Sequence, residues 1–372
     1  MKIRIFFSLT IVSLFLTSCS IINNQPVEAQ MQKVLDKGIN KYDTRGVSAT
    51  VVFPDKTIWT GTSGISHDTV AIKPDMLFAV GSITKNFVAT LIMLLVEEEV
   101  LSLDDPLSKW LPDYPYINNN ITIRQLLNHT SGIYMFWDND EIWEELIRDR
   151  AKVWTPEEVL SYIKEPYFSP GDGFHYSNTN YLLLAMIIEK AISSKLSIEF
   201  KKRFWEPLGI RDAYLSQEEE IPAYQVHVYG DNFVFGNAES DLTFQPRASH
   251  ESIGFGSSGI FTSAKSLALW AHALFEGDIL QKQSLDEMLQ FVEFNTVSNM
   301  KAYGLGVQLY PQIFTSGARA IGHGGGNIGT STYMVYLPDY HISIVVMVNA
   351  YPTRSIDYIT KRLIKILIRK YN

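Results

Sequence analysis

Two pairs of β-rich runs lie near the opposite ends of the chain. Val47 to Gly64 contains two such runs joined by a Pro-Asp-Lys turn, a pattern typical of a β-hairpin. Ser331 to Asn349 has the same arrangement about a Pro-Asp turn, and Ser355 to Lys370 follows with helical spacing. The pattern therefore predicts strands at both ends of the chain.

The chain between these hairpins has mostly helical patterns. Apolar residues recur at helical spacing in Phe87–Glu99, Asn180–Ile192 and Ala264–Gly277, and Met31 to Lys37 begins a first helix. We expect a sheet assembled from both chain ends, with a helical region inserted between them. The last helix is basic and amphipathic, which is compatible with a membrane surface, but its apolar stripe favours packing on a sheet.

Composition indicates a globular protein and argues against nucleic acid as a partner. The 372 residues are 46% hydrophobic and 12% aromatic, enough for one large domain or two coupled ones. The net charge is −8, from 32 basic and 40 acidic residues. No basic block is dense enough to follow a phosphate backbone.

The first residues have the pattern of an export signal. Lys2 and Arg4 precede an apolar stretch from Ile5 to Leu16, and small or polar residues follow. The stretch is too short to span a membrane comfortably. We predict a signal peptide over residues 1–18.

The only cysteine of the chain, Cys19, ends the run Leu16-Thr17-Ser18-Cys19, which resembles the lipobox of bacterial lipoproteins. We predict that Cys19 is lipidated and that residues 19–30 form a tether. The protein would be held in the bacterial cell envelope by acyl chains, with Ser20 favouring the outer membrane slightly. Its partners would be this membrane and a small-molecule or peptidoglycan-derived substrate; the oligomeric state is left open.

A serine and a lysine stand three residues apart in "AVGSITKNF". In a helix Ser82 and Lys85 share a face, so Lys85 can act as the base for a Ser82 nucleophile if burial lowers the pKa of the amine. The alternative is that Ser82 only caps the helix. The same spacing recurs without supporting context at Ser161/Lys164 and Ser298/Lys301.

Two further motifs follow in the chain. Tyr176-Ser177-Asn178 stands just before a buried helix and after a Pro-Gly loop, a place where catalytic groups concentrate; a second Tyr-x-Asn, at Tyr116/Asn118, lies in a turn-rich stretch. His323-Gly324-Gly325 is followed by another glycine, Gly326, and glycines allow a backbone to approach a ligand closely.

The order Ser82-x-x-Lys85, Tyr176-x-Asn178, His323-x-Gly325 resembles the serine β-lactamase and penicillin-binding protein superfamily, specifically its class C β-lactamase-like branch. The resemblance extends from about residue 31 to about residue 370. Three other stretches support it: "LLNHTSGI" (Leu126–Ile133), "FWEPLGI" (Phe204–Ile210) and "GFGSSGIFTSAKSLALWAHALFEG" (Gly254–Gly277).

This resemblance implies an α/β (α+β) fold in which an antiparallel sheet flanked by helices carries an inserted all-helical region. The α/β part would cover about 31–100 and 255–370, and the helical part about 101–254. The active site would lie between them.

The resemblance also implies a role for each motif residue. Ser82 would attack an acyl carbon, with Lys85 and Tyr176 as general base and acid. Asn178 would bind the acyl-side amide, while His323 and Gly325 would line the opposite wall. The backbone N–H groups of Ser82 and Gly326 would form the oxyanion hole, and neither a metal nor an organic cofactor would be needed.

One departure from the family pattern affects substrate recognition. Gly324 stands where many relatives have a hydroxyl that helps to bind a free substrate carboxylate. Arg319, a few residues upstream, could replace it but has the context of a solvated turn residue. His129 and His175 have no partners at metal-ligand spacing, and we expect both to be structural.

The sequence thus predicts an envelope serine hydrolase that acts through a covalent acyl-enzyme on Ser82. A D,D-carboxypeptidase or related D-peptidase is the first interpretation, because export would place it beside peptidoglycan. A carboxylesterase or a β-lactamase of the same fold is the alternative. A different class of protein, an inactive muropeptide- or penicillin-binding protein of the envelope, remains open.

Overall fold

The computed structural model describes residues 25–229, 240–297, 300–351 and 353–372. The predicted signal peptide and Cys19 lie outside the described residues, and so does Ser298 of the third Ser-x-x-Lys triplet. Within the described ranges, none of the helices is both long enough and apolar enough to cross a membrane.

In the described residues the strands fall into two groups in the sequence, one before residue 80 and one after residue 259, with a single short strand between them. They are β1 Gly46–Val52, β2 Ile58–His67, β3 Val70–Ala71, β4 Phe78–Ala79, β5 Ala213–Leu215, β6 Ile260–Thr262, β7 Val292–Val297, β8 Met300–Tyr303, β9 Gln308–Leu309, β10 Ile321–Asn327, β11 Thr330–Leu337 and β12 Ile342–Val348.

Most of the α-helices lie between these groups. They are α1 Val27–Lys41, α2 Thr84–Glu97, α3 Leu107–Trp110, α4 Ile123–Leu127, α5 Asp140–Arg148, α6 Pro156–Leu160, α7 Asn178–Ile192, α8 Leu196–Phe200, α9 Ala248–Ile253, α10 Ala264–Phe275, α11 Lys282–Met288 and α12 Ser355–Tyr371. Short 3₁₀ turns occur at Gly81–Ile83, Phe136–Asp138 and Pro338–Tyr340, and a π-helical turn at Lys201–Trp205.

The main sheet joins the two ends of the chain. In the described part of the protein its order is β3-β2-β1-β12-β11-β10-β9-β8-β7, with every neighbouring pair antiparallel. β1 pairs with β12 from Val47 opposite Val348 to Val52 opposite Ser343. A smaller sheet, β4-β6-β5, lies beside it.

Helices cover both faces of the main sheet. On one face, α1 and α12 pack together and bury an apolar cluster between themselves and the sheet. On the other face, α10 packs against β1, β11 and β12. All seven residues of β1 are buried, as expected for a strand covered on both sides. α2 is apolar around most of its circumference and is surrounded by protein, which is the pattern of a central buried helix.

The predicted fold class is confirmed, and both predicted hairpins are present as β1/β2 and β11/β12. Two boundaries differ from the sequence expectation. The first helix begins at Val27 rather than Met31, so part of the segment predicted to be a tether is helical. The segment predicted to be helical, 101–254, also contains β5, a three-residue strand too short for an alternating pattern to reveal it.

Candidate active site

Ser82 lies in the tight turn that precedes the central helix. Residues 81–83 form a 3₁₀ turn that runs directly into α2, so the Ser82 N–H is among the first amides of the helical segment, which have no acceptor within it. Gly81 has a φ of +53°, a conformation that favours glycine. The turn leaves the Ser82 side chain partly exposed.

Lys85 places its amine beside the Ser82 hydroxyl. Lys85 Nζ lies 3.0 Å from Ser82 Oγ and donates to the carbonyl oxygen of Ser257 at 2.9 Å. Its side chain is fully buried, and this burial lowers the pKa of the amine well below its ordinary value. Within the described residues Lys85 forms no ion pair, so no opposite charge offsets the desolvation of its own, and the amine is suited to accept a proton.

Tyr176 lies on the other side of the Ser82 hydroxyl. Burial raises the pKa of its phenol, and an interaction with Ser82 lowers it by less; the group therefore stays protonated and can donate. The ring centroid is 5.0 Å from Lys85 Nζ and 4.3 Å from the centroid of the His129 ring. Ser82, Lys85 and Tyr176 thus form one connected group.

Asn178 is the first residue of α7, where its side chain carries an unused acceptor. Its backbone N–H points to the sulfur of Met135 at 2.9 Å. Its buried Oδ1 has no hydrogen-bond partner among the described residues. Leaving a buried acceptor of this kind unpaired costs about 1–3 kcal/mol of free energy. A substrate N–H that donates to Oδ1 would recover this free energy.

The glycines of β10 bring this strand against the Ser82 turn. A Cβ on Gly325 would lie 1.9 Å from the carbonyl oxygen of Val80, and one on Gly81 would lie 2.3 Å from that of Gly326. Real Cβ atoms do not approach other atoms so closely, so only glycine permits the contact.

The strand geometry also directs a backbone donor to this point. Gly324 N–H donates to Gln308 Oε1 at 3.0 Å, on the side of β10 away from β11. Gly326 is two residues farther along, so its N–H points to the same side, where β9 pairs only with residues 321 and 322. The N–H groups of Ser82 and Gly326 therefore both border the space beside the Ser82 hydroxyl.

A cleft of about 390 Å³ opens at Ser82. Gly324, Gly325 and Gly326 form one edge. The other residues that line it are Ser82, Tyr176, Met300, Gln308, Ser331, Thr332, Tyr333, Tyr351, Thr353, Ile356 and Asp357. None of these described residues is a lysine or an arginine. Arg319 is exposed and is not part of the lining.

His323 does not face this cleft, contrary to its predicted place in the wall. Its side chain is fully buried, with Nδ1 donating to the Gly324 carbonyl at 2.6 Å and Nε2 accepting from the Tyr303 hydroxyl at 2.8 Å. Burial, and then the charge of Lys85, lower the pKa of His323 to about 3. Side chains alternate along a strand, which places His323 on the face that packs against the protein interior.

The two histidines that were predicted to be structural, His129 and His175, have different surroundings. His129 is fully buried, and its Nδ1 accepts the backbone N–H of Ser177 at 3.2 Å, so it holds the segment between Tyr176 and Asn178. His175 stacks on Tyr167 with ring centroids 3.7 Å apart. In the described ranges no group of three or more His, Cys, Asp or Glu side chains is arranged to hold a metal.

The competing motifs do not form comparable sites. Ser161 directs its hydroxyl to the Glu158 carbonyl at 2.6 Å, and Lys164 lies 3.8 Å from Glu141. Tyr116 and Asn118 line a different pocket.

Sequence reasoning missed three contributors: His129 as a positioning group, the Ser257 carbonyl and Tyr303. The stretches "LLNHTSGI" and "GFGSSGIFTS" had marked the regions of His129 and Ser257, but not these contacts.

The family model described as Beta-lactamase matches residues 27–366. The chain belongs to the β-lactamase family. It is 30% identical to penicillin-binding protein 4* of Bacillus subtilis over 291 residues, which are 75% of this chain and 62% of that protein. The matched region is thus less than two thirds of this relative's length.

Solved structures show the same fold over most of the chain. A D-stereospecific amidohydrolase from Streptomyces sp. has a TM-score of 0.79 and 29% identity, with 90% of this chain and 97% of that chain covered. The D-amino acid amidase from Ochrobactrum anthropi SV3, complexed with D-phenylalanine, has a TM-score of 0.82 and 24% identity, with 92% and 99% covered. The predicted family and fold are confirmed.

Proposed function

We propose that this protein is a serine hydrolase that forms an acyl-enzyme on Ser82 and acts as a D-peptidase or amidohydrolase. The observation that carries the proposal is the fully buried amine of Lys85, 3.0 Å from Ser82 Oγ. The likeness to a D-stereospecific amidohydrolase at 29% identity supports the choice of a D-configured amide.

The contacts define a balanced first half-reaction. Ser82 Oγ attacks the acyl carbon as its proton passes to Lys85 Nζ, and the oxyanion that forms lies between the N–H groups of Ser82 and Gly326. The Tyr176 phenol gives its proton to the leaving nitrogen or oxygen and is reprotonated by the Lys85 ammonium. Net transfer is one proton, from Ser82 to the leaving group.

The second half-reaction repeats these transfers with water as the nucleophile. The attacking water loses its proton to the same pair, Tyr176 and Lys85, and Ser82 Oγ leaves as the hydroxyl. Because burial lowers the pKa of the Lys85 amine and raises that of the Tyr176 phenol, burial favours the neutral amine and the protonated phenol, the forms with which each half-reaction starts.

Intact-mass analysis after exposure to three acyl donors tests the proposal. The donors are an acyl-D-Ala-D-Ala peptide, an activated short-chain ester and a penicillin. We expect an adduct with at least one donor that is lost in Ser82→Ala and retained in Ser161→Ala, which removes the serine of a matched Ser-x-x-Lys triplet. The donor that turns over fastest identifies the substrate class, and an ester alone would indicate a carboxylesterase.

No adduct and no turnover with any donor would refute the hydrolase and favour an envelope protein that binds muropeptides or penicillin. Turnover that survives in Ser82→Ala would refute the assignment of the nucleophile.

We further propose that the protein is exported and lipid-anchored through Cys19. The support is the signal-like sequence of residues 1–18 and the lipobox-like run before this unique cysteine. Labelling of cells with a fatty-acid analogue should mark the wild type and not Cys19→Ser. Equal label in both would refute the anchor without bearing on Ser82.

A further inference from the structure

α1 and α12 present a basic surface on the side of the main sheet opposite to α10. Both helices bury their apolar stripes against the sheet, so their other sides face the surroundings. Together they carry eight lysine or arginine residues and three aspartate or glutamate residues, in a chain whose net charge is −8. Six of these cations are exposed and form what we call the basic face: Lys33, Lys37, Lys41, Arg362, Lys365 and Arg369.

Ion pairs do not neutralise the basic face. Within the described part of the chain, none of its six cations forms an ion pair. Many other cations do, such as Arg203, which lies 2.6 Å from Glu199. Of the acids on the two helices, Asp36 accepts from the Ser63 hydroxyl at 2.7 Å, and only Glu28 is exposed. The positive charge of this surface is therefore left for an outside partner.

The cations lie in two rows on neighbouring helices. On α12, Arg362, Lys365 and Arg369 are spaced by three and four residues, which aligns them on one side of the helix. The three lysines of α1 are spaced by four residues each and align in the same way. The rows come from opposite ends of the chain, and the packing of α1 on α12 brings them together.

An extended array of this kind fits an anionic bilayer better than a small anion. Sites for small ligands are concave and have a few converging polar groups, whereas the basic face is the outer side of two helices. A lysine or arginine that approaches an anionic membrane surface strengthens binding about fivefold. Several such residues on one surface therefore add to a substantial affinity without a pocket.

The proposed lipid anchor lies close to this surface in the sequence. α1 begins at Val27, and Cys19 stands six residues before Gln25, the first described residue. Six residues extend over at most about 22 Å. Acyl chains on Cys19 would consequently keep the basic face within reach of the membrane.

We propose that the basic face binds the anionic phospholipid surface of a membrane. This inference goes beyond the proposed hydrolysis and does not depend on Ser82. It does not require a lipid on Cys19 either, because such a lipid would only raise the local concentration of the basic face at the membrane. Ile356 lines the cleft from the first turn of α12, whereas Lys365 and Arg369 lie in its last two turns, so the two functions use different parts of this helix.

A basic helix face also has a purely structural explanation. Exposed lysines keep a surface solvated, and cations in the last turn of a helix stabilise it through the helix dipole. Such roles would affect solubility and melting temperature but would not produce a preference for anionic over neutral vesicles. The test therefore measures that preference.

Co-sedimentation with vesicles tests the proposal on the chain from Ser20 to Asn372, which lacks Cys19 and keeps every residue that the structure describes. One set of vesicles contains equal parts of phosphatidylglycerol and phosphatidylcholine, and the other contains phosphatidylcholine alone. The wild-type chain should partition about 100-fold or more in favour of the anionic vesicles. This preference should decrease with added salt, a measurement that needs no variant.

The test variant combines Lys37→Gln, Lys365→Gln and Arg369→Gln. At about fivefold for each cation, it should partition onto the anionic vesicles about 100-fold less than the wild type. Its partition onto phosphatidylcholine alone should not change. An unchanged melting temperature shows that the fold is retained.

The control variant combines Lys73→Gln, Lys202→Gln and Lys265→Gln, three exposed lysines that lie outside α1 and α12. It has the same net charge as the test variant, so a loss caused by overall charge would be equal in the two. We expect the control variant to keep the wild-type preference for anionic vesicles.

Equal partition of the wild type onto the two kinds of vesicle, or equal losses in the test and control variants, would overturn the basic face as a membrane contact. Complete competition by soluble polyphosphate, at a phosphate concentration equal to that of the vesicles, would indicate a free phosphate ligand instead of a bilayer. None of these outcomes bears on hydrolysis through Ser82 or on lipidation of Cys19, which have tests of their own.

Discussion

Gly325 and Val80 are in backbone contact at the point where the glycine-rich strand β10 meets the Ser82 turn. A Cβ on Gly325 would lie 1.9 Å from the Val80 carbonyl oxygen and 3.1 Å from the Ser82 nitrogen. The distance between the N–H groups of Ser82 and Gly326, the two proposed oxyanion donors, therefore depends on the absence of one side chain.

Gly325→Ala should separate β10 from the Ser82 turn. We expect kcat/KM to fall about 100-fold or more, because a displacement of about 1 Å in a catalytic group has effects of this size. In the comparison variant Gly324→Ala, the new Cβ would meet side-chain atoms and no backbone, the nearest being the Tyr333 ring at 2.9 Å. Steady-state kinetics of both variants should show the smaller loss in Gly324→Ala; equal losses would contradict this account.

Lys85→Met should remove activity and change the pH dependence of stability. Because burial lowers the pKa of Lys85 in the folded protein, the unfolded chain binds more protons below the ordinary pKa of lysine, and the wild type loses stability as the pH decreases. The melting temperature of the variant relative to wild type should therefore be higher at pH 7 than at pH 10.

Lys85→Arg keeps a long cationic side chain at this position but removes its ability to accept a proton. A guanidinium stays protonated and cannot act as the base, so we expect a loss of about 10²- to 10⁴-fold in acylation rate. If single-turnover measurements give Lys85→Arg an acylation rate within tenfold of wild type, Lys85 is excluded as the general base.

Asn178→Ala tests the unpartnered amide oxygen. We compare two substrates that differ only in the acyl-side N–H, an N-acetyl-D-alanyl thioester and its analogue with oxygen in place of that N–H. The wild type should prefer the N–H substrate about tenfold, the value of a typical hydrogen bond, and the variant should show no preference. A preference that persists in Asn178→Ala would place the acyl-side contact elsewhere.

Glu189 predicts a second pH effect, far from Ser82. Burial, and then the neighbouring Glu218, raise the pKa of Glu189 to about 7. The folded protein therefore keeps a proton that the unfolded chain loses above its lower pKa, and stability falls as the pH rises toward 7.

Glu189→Gln removes this penalty. We expect its melting temperature to exceed that of wild type by about 2 °C at pH 8, which allows for solvent screening of a partly exposed pair, and to match it at pH 4. Glu220→Gln, at an exposed position two residues after Glu218, should shift the melting temperature equally at both pH values. Calorimetry at the two pH values measures both variants.

The main elements were predictable because their patterns are local. The hairpin of Val47 to Gly64 alternates around a clear turn, and α2 is a long apolar run, so periodicity alone defines them. The strand β10 has the sequence IGHGGGN, which has no strand periodicity, and only its resemblance to a family motif marked it.

Site residues could be predicted where a short motif contains them. They could not be predicted where the fold brings distant segments of the chain together. Ser82 and Lys85 share one turn of helix, so their contact follows from spacing. The Ser257 carbonyl reaches Lys85 from 172 positions away, and Asp357 reaches the cleft from the last helix, so neither contact has a signal in the local sequence. His323 was assigned to the wall because its motif does not state which face of β10 its side chain occupies.

Pairing of the two chain ends also governs when activity can arise. Ser82 is synthesised well before β10, and the N–H groups of Ser82 and Gly326 come together only when β10 lies against the Ser82 turn. Contacts so distant in sequence form late and slowly. A chain that ends before β10 consequently lacks one of the two proposed oxyanion donors, and acylation of Ser82 would report that β10 has been made and has folded against the Ser82 turn.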